Sequence, residues 1–299
     1  MSIYVETFVR SSLAELWAKT QCPQQHAQWD LRFSQIDYKP RVGAMNVQPF
    51  DYRTRIGFGV AVTGQGESLS TCEDRRGRRT SSLKFWSSDR KSLIRNGAGY
   101  WQFEPAEYGV RFITSYDYRT NGGAAGRMFD RIVFRPLMAW ATAWSFDRLR
   151  MWIERGVPPR TALSQFLVHW LCVWTLVFVW SFHGIVPKVL HKDADEIRLL
   201  QDAGLSSASV DVMLPIVGML ELGLAACVAL FHLRRWPFVL TIVLMIASLG
   251  AVAWNTPTYL TSAFNPVTLN VQMIVLSAVV MLTQYSLPSA RGCIRRRLP

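Results

Sequence analysis

At 299 residues the chain is long enough for two domains, and 33 Lys and Arg against 21 Asp and Glu give it a net charge of +12. Residues 1–160 hold 24 of the basic and 15 of the acidic side chains, while the other 139 residues carry only 15 charges. That asymmetry excludes a uniformly soluble globule and gives the second half the composition of a membrane domain. The opening Met1-Ser-Ile-Tyr-Val-Glu6 has neither a basic start nor an apolar core. No cleavable signal peptide is therefore expected, and the first half is expected in the cytoplasm.

Ile3, Val5, Thr7 and Val9 alternate with Tyr4, Glu6 and Phe8 and predict a strand. Ser12-Leu-Ala-Glu15 is a capping box opening a short helix over 13–20. Pro23 starts a second short helix through Trp29, and residues 32–38 return as a strand. Ile56, Phe58, Val60 and Val62 predict one face of a further strand, whose other face holds Gly57, Gly59 and Ala61. Strands follow at 80–87, 99–104 and 110–119. In the last, Val110, Phe112, Thr114, Tyr116 and Tyr118 share one face and Arg111, Ser115, Asp117 and Arg119 the other. A long helix from about 127 to Arg155 follows, with Pro136 at a tolerable first-turn position of the segment from Phe134 and Gly156 as the stop.

An antiparallel sheet with one apolar face needs a cover, and the long helix is the only element of the half large enough to supply it. With the segment Pro23-Gln-Gln-His26-Ala-Gln-Trp29-Asp30, this element order resembles the SRPBCC, or START-like, helix-grip superfamily over about residues 2–156. The resemblance implies an apolar ligand held between sheet and long helix. The face of Phe112, Thr114 and Tyr116 is the expected lining, since a cavity is expected beneath the helix middle. Two further features have chemical and bland readings. His26 and Asp30, four residues apart, fit an acid-base pair or surface polarity at a helix end, and the second is preferred. Arg75-Arg76-Gly77-Arg78-Arg79 fits nucleic acid, anionic lipid or, most simply, a solvated hairpin tip.

After Gly156-Val-Pro158-Pro159 the spacing predicts a linker over 157–165 and then four apolar spans, 166–186, 213–231, 237–254 and 267–285. Each is about the length that one crossing of a ~30 Å hydrocarbon core requires. The turn His232-Leu-Arg234-Arg235 and the tail 288–299 are basic, whereas 187–211 is net acidic and 255–266 uncharged. The positive-inside rule then places both termini in the cytoplasm. Trp170, Trp236 and Trp254 fall near the expected interfaces. The five cysteines form no CxxC pair and have no regular spacing, which suits a reducing compartment rather than a disulfide frame or a metal site.

Glu221 lies within the second span, where a carboxylate costs roughly 2.5–3.5 kcal/mol unless paired, neutral or hydrated. It is expected to face the bundle interior, neutral or paired with His183, with Asn255 and Asn270 in the same outer half. The motifs Trp180-Ser-Phe-His183-Gly184-Ile-Val-Pro187-Lys188, Gly218-Met-Leu-Glu221-Leu-Gly223 and Asn265-Pro266-Val-Thr-Leu-Asn270 resemble the DoxX-like membrane family over about residues 163–287. A four-helix bundle lets Glu221, His183 and Asn270 converge, and with Lys188 of the first motif they are the expected ligand site; the alternative is a protonated Glu221 hydrogen-bonded to a neighbour for packing alone. The two halves joined in this order resemble a bacterial group of two-domain membrane proteins.

The expected architecture is an α+β helix-grip domain, an antiparallel sheet around a long C-terminal helix, followed by an all-α four-helix transmembrane bundle. The expected protein is a multi-pass inner-membrane protein whose cytoplasmic domain binds or transfers an apolar, lipid-like ligand. The alternative is a DoxX-type subunit of a quinone-linked oxidoreductase. No cofactor is required by the first reading, and a quinone fits the second. Expected partners are membrane lipids and an apolar small molecule rather than nucleic acid, with self-association or a redox-complex partner left open.

Overall fold

A computed structural model describes the chain apart from residues 1, 42–46, 58, 70, 71, 76, 203, 262–264 and 297–299, and the side chain at 199. It divides into two units, Met1–Leu163 with Pro288–Pro299, and Ser164–Leu287. The first contains β1 (Ile3–Val9), α1 (Leu13–Gln21), α2 (Pro23–Trp29), β2 (Gln35–Tyr38), β3 (Gln48–Gly57), β4 (Val60–Ser68), β5 (Cys72–Glu73), β6 (Arg79–Trp86), β7 (Ile94–Ala106) and β8 (Gly109–Thr120). The strands form one antiparallel sheet in the order β1-β8-β7-β6-β4-β3-β2, with β5 against β6.

The predicted strand through Ile56, Phe58, Val60 and Val62 is instead a hairpin, because Arg55 pairs with Ala61 and Gly57 with Val60. Gly57 and Gly59 take φ of +108° and +74°, backbone that glycine adopts without the Cβ penalty. The chain therefore reverses although the apolar alternation of the sequence continues. Phe58 lies outside the described residues.

The cover is α3 (Gly123–Phe129), a π-turn (Asp130–Phe134) and α4 (Arg135–Arg155), continuous in helical backbone and ended by Gly156 at φ +67°. Pro136 thus sits inside a helix rather than in a first turn. Proline removes one backbone donor and crowds the carbonyl four residues back. Here the preceding turn is widened, so that the Arg135 N–H reaches the Asp130 carbonyl five residues away, and the bulge absorbs the misfit. Beneath α4, Phe112 stacks on Phe146 at 4.3 Å and on Phe103 at 4.9 Å between ring centroids. Trp29 and Trp101 close the cluster edge-on. Each such ring, fully buried, contributes roughly 1.5–3 kcal/mol.

The predicted linker contracts to Val157 and Pro158, since α5 (Pro159–Ile185) starts at Pro159. Arg148, buried within α4, ties the joint by donating to the carbonyls of Pro159 (3.0 Å) and Gln28 (2.5 Å). Burial brings its guanidinium down to about 10. The last residues return to the first unit. Glu6 and Ile294 exchange backbone hydrogen bonds of 2.9 Å across the free edge of β1, and Ser289 N–H donates to Asp147 at 2.7 Å. Arg297, the last basic residue of the tail, lies outside the described residues.

The second unit continues α5 through a π-turn (Val186–Leu190), then α6 (Ala194–Asp202), α7 (Ser207–Leu230), α8 (Trp236–Asn255) and α9 (Pro266–Thr283). Among the described residues, four helices are long and apolar enough to cross a membrane. Val173, Leu176, Val228, Phe238 and Val280 form a core to which all four contribute.

Candidate functional site

Where α5 meets α7 their backbones touch at two glycines. A Cβ on Gly184 would stand 2.7 Å from the Gly218 carbonyl oxygen, and one on Gly218 would stand 2.5 Å from the Gly184 carbonyl oxygen. Only glycine permits this approach. The contact has a chemical consequence, because Lys188 lies four residues beyond Gly184 and Glu221 three beyond Gly218. The π-turn carries Lys188 inward, where its residue is 5% exposed, and its ammonium reaches Glu196 of α6 at 2.9 Å and Glu221 of α7 at 3.2 Å. It also donates to the His183 carbonyl at 3.4 Å.

A buried ammonium is stable only when paired and hydrogen-bonded, and here one lysine answers two carboxylates. Glu221 gives it Oε1, while its Oε2 is buried and accepts no hydrogen bond among the described residues. An orphaned carboxylate oxygen costs free energy until a donor arrives. Lys188, not His183, is therefore the partner of Glu221, which corrects the pairing expected from the sequence. The His183 ring instead packs edge-on against Phe182, with centroids 6.1 Å apart. Asn270 is buried and donates to the Met245 carbonyl at 3.2 Å, fastening α9 to α8; among the described residues no hydrogen bond joins it to the lysine cluster. Asn255 donates to the Ala251 carbonyl of its own helix.

A second polar chain joins residues far apart in sequence. Thr283 Oγ1 donates to the backbone of its own helix and so accepts from His169 Nδ1 at 3.0 Å. His169 Nε2 is then the acceptor for His232 Nδ1, also at 3.0 Å. The sequence marks His169 only as an ionisable residue in a span. Its partners lie 63 and 114 positions away, and no local pattern announces them.

In the first unit, His26 and Asp30 are buried, which overturns the preferred reading of surface polarity. His26 Nε2 lies 3.0 Å from Asp30 Oδ2, and Arg32 grips both oxygens of Asp30 at 2.9 and 2.6 Å. The imidazole is walled by Trp29, Phe33 and Trp101 at 4.8–5.2 Å between centroids. Burial disfavours the Asp30 charge, but the Arg32 fork outweighs it and holds the carboxyl far below its ordinary range. Burial also lowers His26, against the opposing pull of Asp30. The folded state therefore keeps His26 neutral below its ordinary pKa of 6.5 while the unfolded chain takes up a proton. Stability is complete above pH 6.5 and falls as the pH drops below it. Thermal unfolding of this unit should show that slope, up to about 1.4 kcal/mol per pH unit, and His26→Gln should flatten it.

Phe112 and Thr114 are packed on all sides. Phe112 has no exposed surface and Thr114 is 1% exposed, so no water-sized void touches them. The Tyr116 hydroxyl is bonded to Thr142 of α4 at 2.8 Å, and the Arg32 guanidinium lies 5.3 Å from its ring. The space expected beside Phe112 and Thr114 is filled by aromatic rings, which corrects those two assignments to packing. An open hollow of about 530 Å³ lies elsewhere, along the ends of β6, β7 and β8. It is lined by Phe85, Trp86, Ala98 and Tyr118 together with Lys84 and Arg119, and it stands open to solvent. Of the basic hairpin, Arg78 pairs with Asp74 and Glu104 and Arg79 with Glu73, while Arg76 lies outside the described residues.

Residues 177–278, which contain His183, Lys188, Glu196, Glu221 and Asn270, match the model of the DoxX-like family. The membrane protein YndG of Bacillus subtilis (strain 168) is 43% identical over 189 residues, covering 61% of this chain and 68% of YndG. Among solved structures, a STAR-related lipid transfer protein fragment from Xanthomonas axonopodis is 12% identical, with a TM-score of 0.41 over 51% of this chain and 85% of that one. The Zhui aromatase/cyclase from Streptomyces sp. R1128 is 11% identical, with a TM-score of 0.39 over 52% of this chain and 96% of that one.

Proposed function

From the premise that this chain belongs to the family of YndG, with a DoxX-like membrane domain joined to a START-like helix-grip domain, we propose that its bundle binds a lipophilic small molecule through Glu221. The observation that carries this reading is the unequal use of the two Glu221 oxygens, one taken by Lys188 and the other buried without a donor. A membrane-soluble molecule with a hydroxyl head, a quinol for example, supplies the missing donor, and the apolar helices accommodate its tail. Paired with the Lys188 ammonium through Oε1, the Glu221 carboxylate offers Oε2 as a charge-assisted acceptor. The packing around Phe112 directs the ligand to the bundle rather than to the helix-grip core. A quinone-linked complex follows as the wider setting, in which this chain binds and orients the ring.

The same reading keeps both termini in the cytoplasm of an inner-membrane protein. Two observations support it: the basic turn at His232 to Arg235, and the membership of the segments before and after the four spans in one unit.

The test is mass spectrometry of small molecules extracted from the full-length protein purified in mild detergent. Glu221→Leu should lower retention of a co-purifying hydroxylated lipophile by about tenfold to a hundredfold, the equivalent of one charged hydrogen bond. Glu221→Gln, which keeps an acceptor, should lose less. Equal retention by the wild type and a folded Glu221→Leu variant would refute the site.

A further inference from the structure

The helix formed by α3, the π-turn and the first half of α4 is amphipathic in the reverse sense. A surface helix ordinarily hides its apolar stripe and presents its polar one. Here the inward positions include Gly126 and the carboxylate of Asp130, which is buried and held by the Tyr118 hydroxyl at 2.7 Å and Arg135 Nε at 2.9 Å. The outward side carries Met128, Phe129, Ile132, Val133, Leu137 and Trp140, of which Met128 and Ile132 are 65% and 66% exposed. Polar bonds thus fasten the helix to the sheet and leave its apolar side uncovered, and contiguous exposed apolar surface of this kind marks an interaction face.

Charge identifies what covers it. Arg127 and Arg131 lie on the same helical stretch, exposed and without an ion-pair partner among the described residues. The loop before β7 adjoins the helix start, since Asn121 binds the Ser92 and Leu93 carbonyls at 3.0 and 2.8 Å. That loop and strand add Arg90 and Arg95, exposed and likewise unpaired among the described residues. The one acid within the stretch, Asp130, is turned inward and already bound. An apolar strip bordered by unpaired arginines matches an anionic bilayer surface, with rings and aliphatic chains below the headgroups and guanidinium groups among the phosphates. Only Gly156, Val157 and Pro158 separate this helix from a membrane-length one, so the covalent chain keeps a bilayer within reach.

We propose that residues 123–140 form an in-plane amphipathic element that docks the helix-grip domain on anionic lipid. This contact is independent of the Glu221 site.

Photocrosslinking tests it in the full-length protein. p-Benzoylphenylalanine replaces Ile132 in one variant and Tyr108, an exposed residue in the β7–β8 turn, in a control. Both are reconstituted into phosphatidylcholine vesicles with or without phosphatidylglycerol, and adducts are identified by mass. The expected result is a lipid adduct at position 132 several-fold above that at 108, increased by phosphatidylglycerol and reduced several-fold by Arg127→Glu with Arg131→Glu. Equal adducts at the two positions, or none at 132, would overturn the proposal. An adduct at 132 joining two copies of the chain would overturn it in favour of self-association.

Discussion

Arg32→Leu should destabilise the helix-grip unit by about 3–5 kcal/mol, because it leaves the Asp30 carboxylate buried without its main counter-charge. Asp30 is 1% exposed, and after the substitution its remaining side-chain partner would be a neutral imidazole. Two processes then compete, protonation of Asp30 or entry of water, and both weaken packing around Trp29 and Trp101. The double variant Asp30→Leu with Arg32→Leu should be less damaging than Arg32→Leu alone, since replacing both members of a buried pair by apolar groups is often nearly neutral. Exchange protection of the β8 amides in the full-length protein gives the measurement. A loss below about 0.5 kcal/mol for the single variant would return the cluster to an ordinary surface position.

Phe112→Ala is expected to cost about 3–5 kcal/mol, the range for deleting a buried aromatic ring. It should also create what the wild type lacks. Rings at Trp29, Trp101, Phe103 and Phe146 surround the vacated volume, and a dry apolar cavity of that kind takes up xenon or benzene. Stabilisation of the variant by benzene, without the same effect on the wild type, is the expected result. Benzene stabilising the wild type and not the variant would instead restore Phe112 as a ligand contact.

Which features the sequence discloses depends on how far apart the interacting residues lie. β8 is legible because alternation over Val110 to Tyr118 is a property of one strand, and the Ser12 cap because its partner, Glu15, is three residues on. The four membrane-length helices are legible from composition alone. The β3–β4 hairpin is concealed because apolar residues occupy both sides of the turn in unbroken alternation, and only the two glycines betray the reversal. His26 and Asp30 look superficial because the groups that bury them come from β7 and the segment after α2. Lys188 and Glu221 stand in recognisable motifs, but their meeting depends on glycine-to-glycine contact between two helices and on a π-turn that aims the lysine inward. The His169 chain requires three segments of the bundle at once.

The return of the tail to β1 and α4 also fixes an order of events during synthesis. The β1 edge and the Asp147 carboxylate are complete as soon as α4 has been made, but their partners Ile294 and Ser289 are translated about 140 residues later, roughly 7–28 s at about 5–20 residues per second. Throughout that interval the nascent domain carries an open strand edge, the kind of surface on which chains misassociate. The unit translated before the four spans is thus finished only after them. A chain arrested before its fourth span is complete retains that open edge.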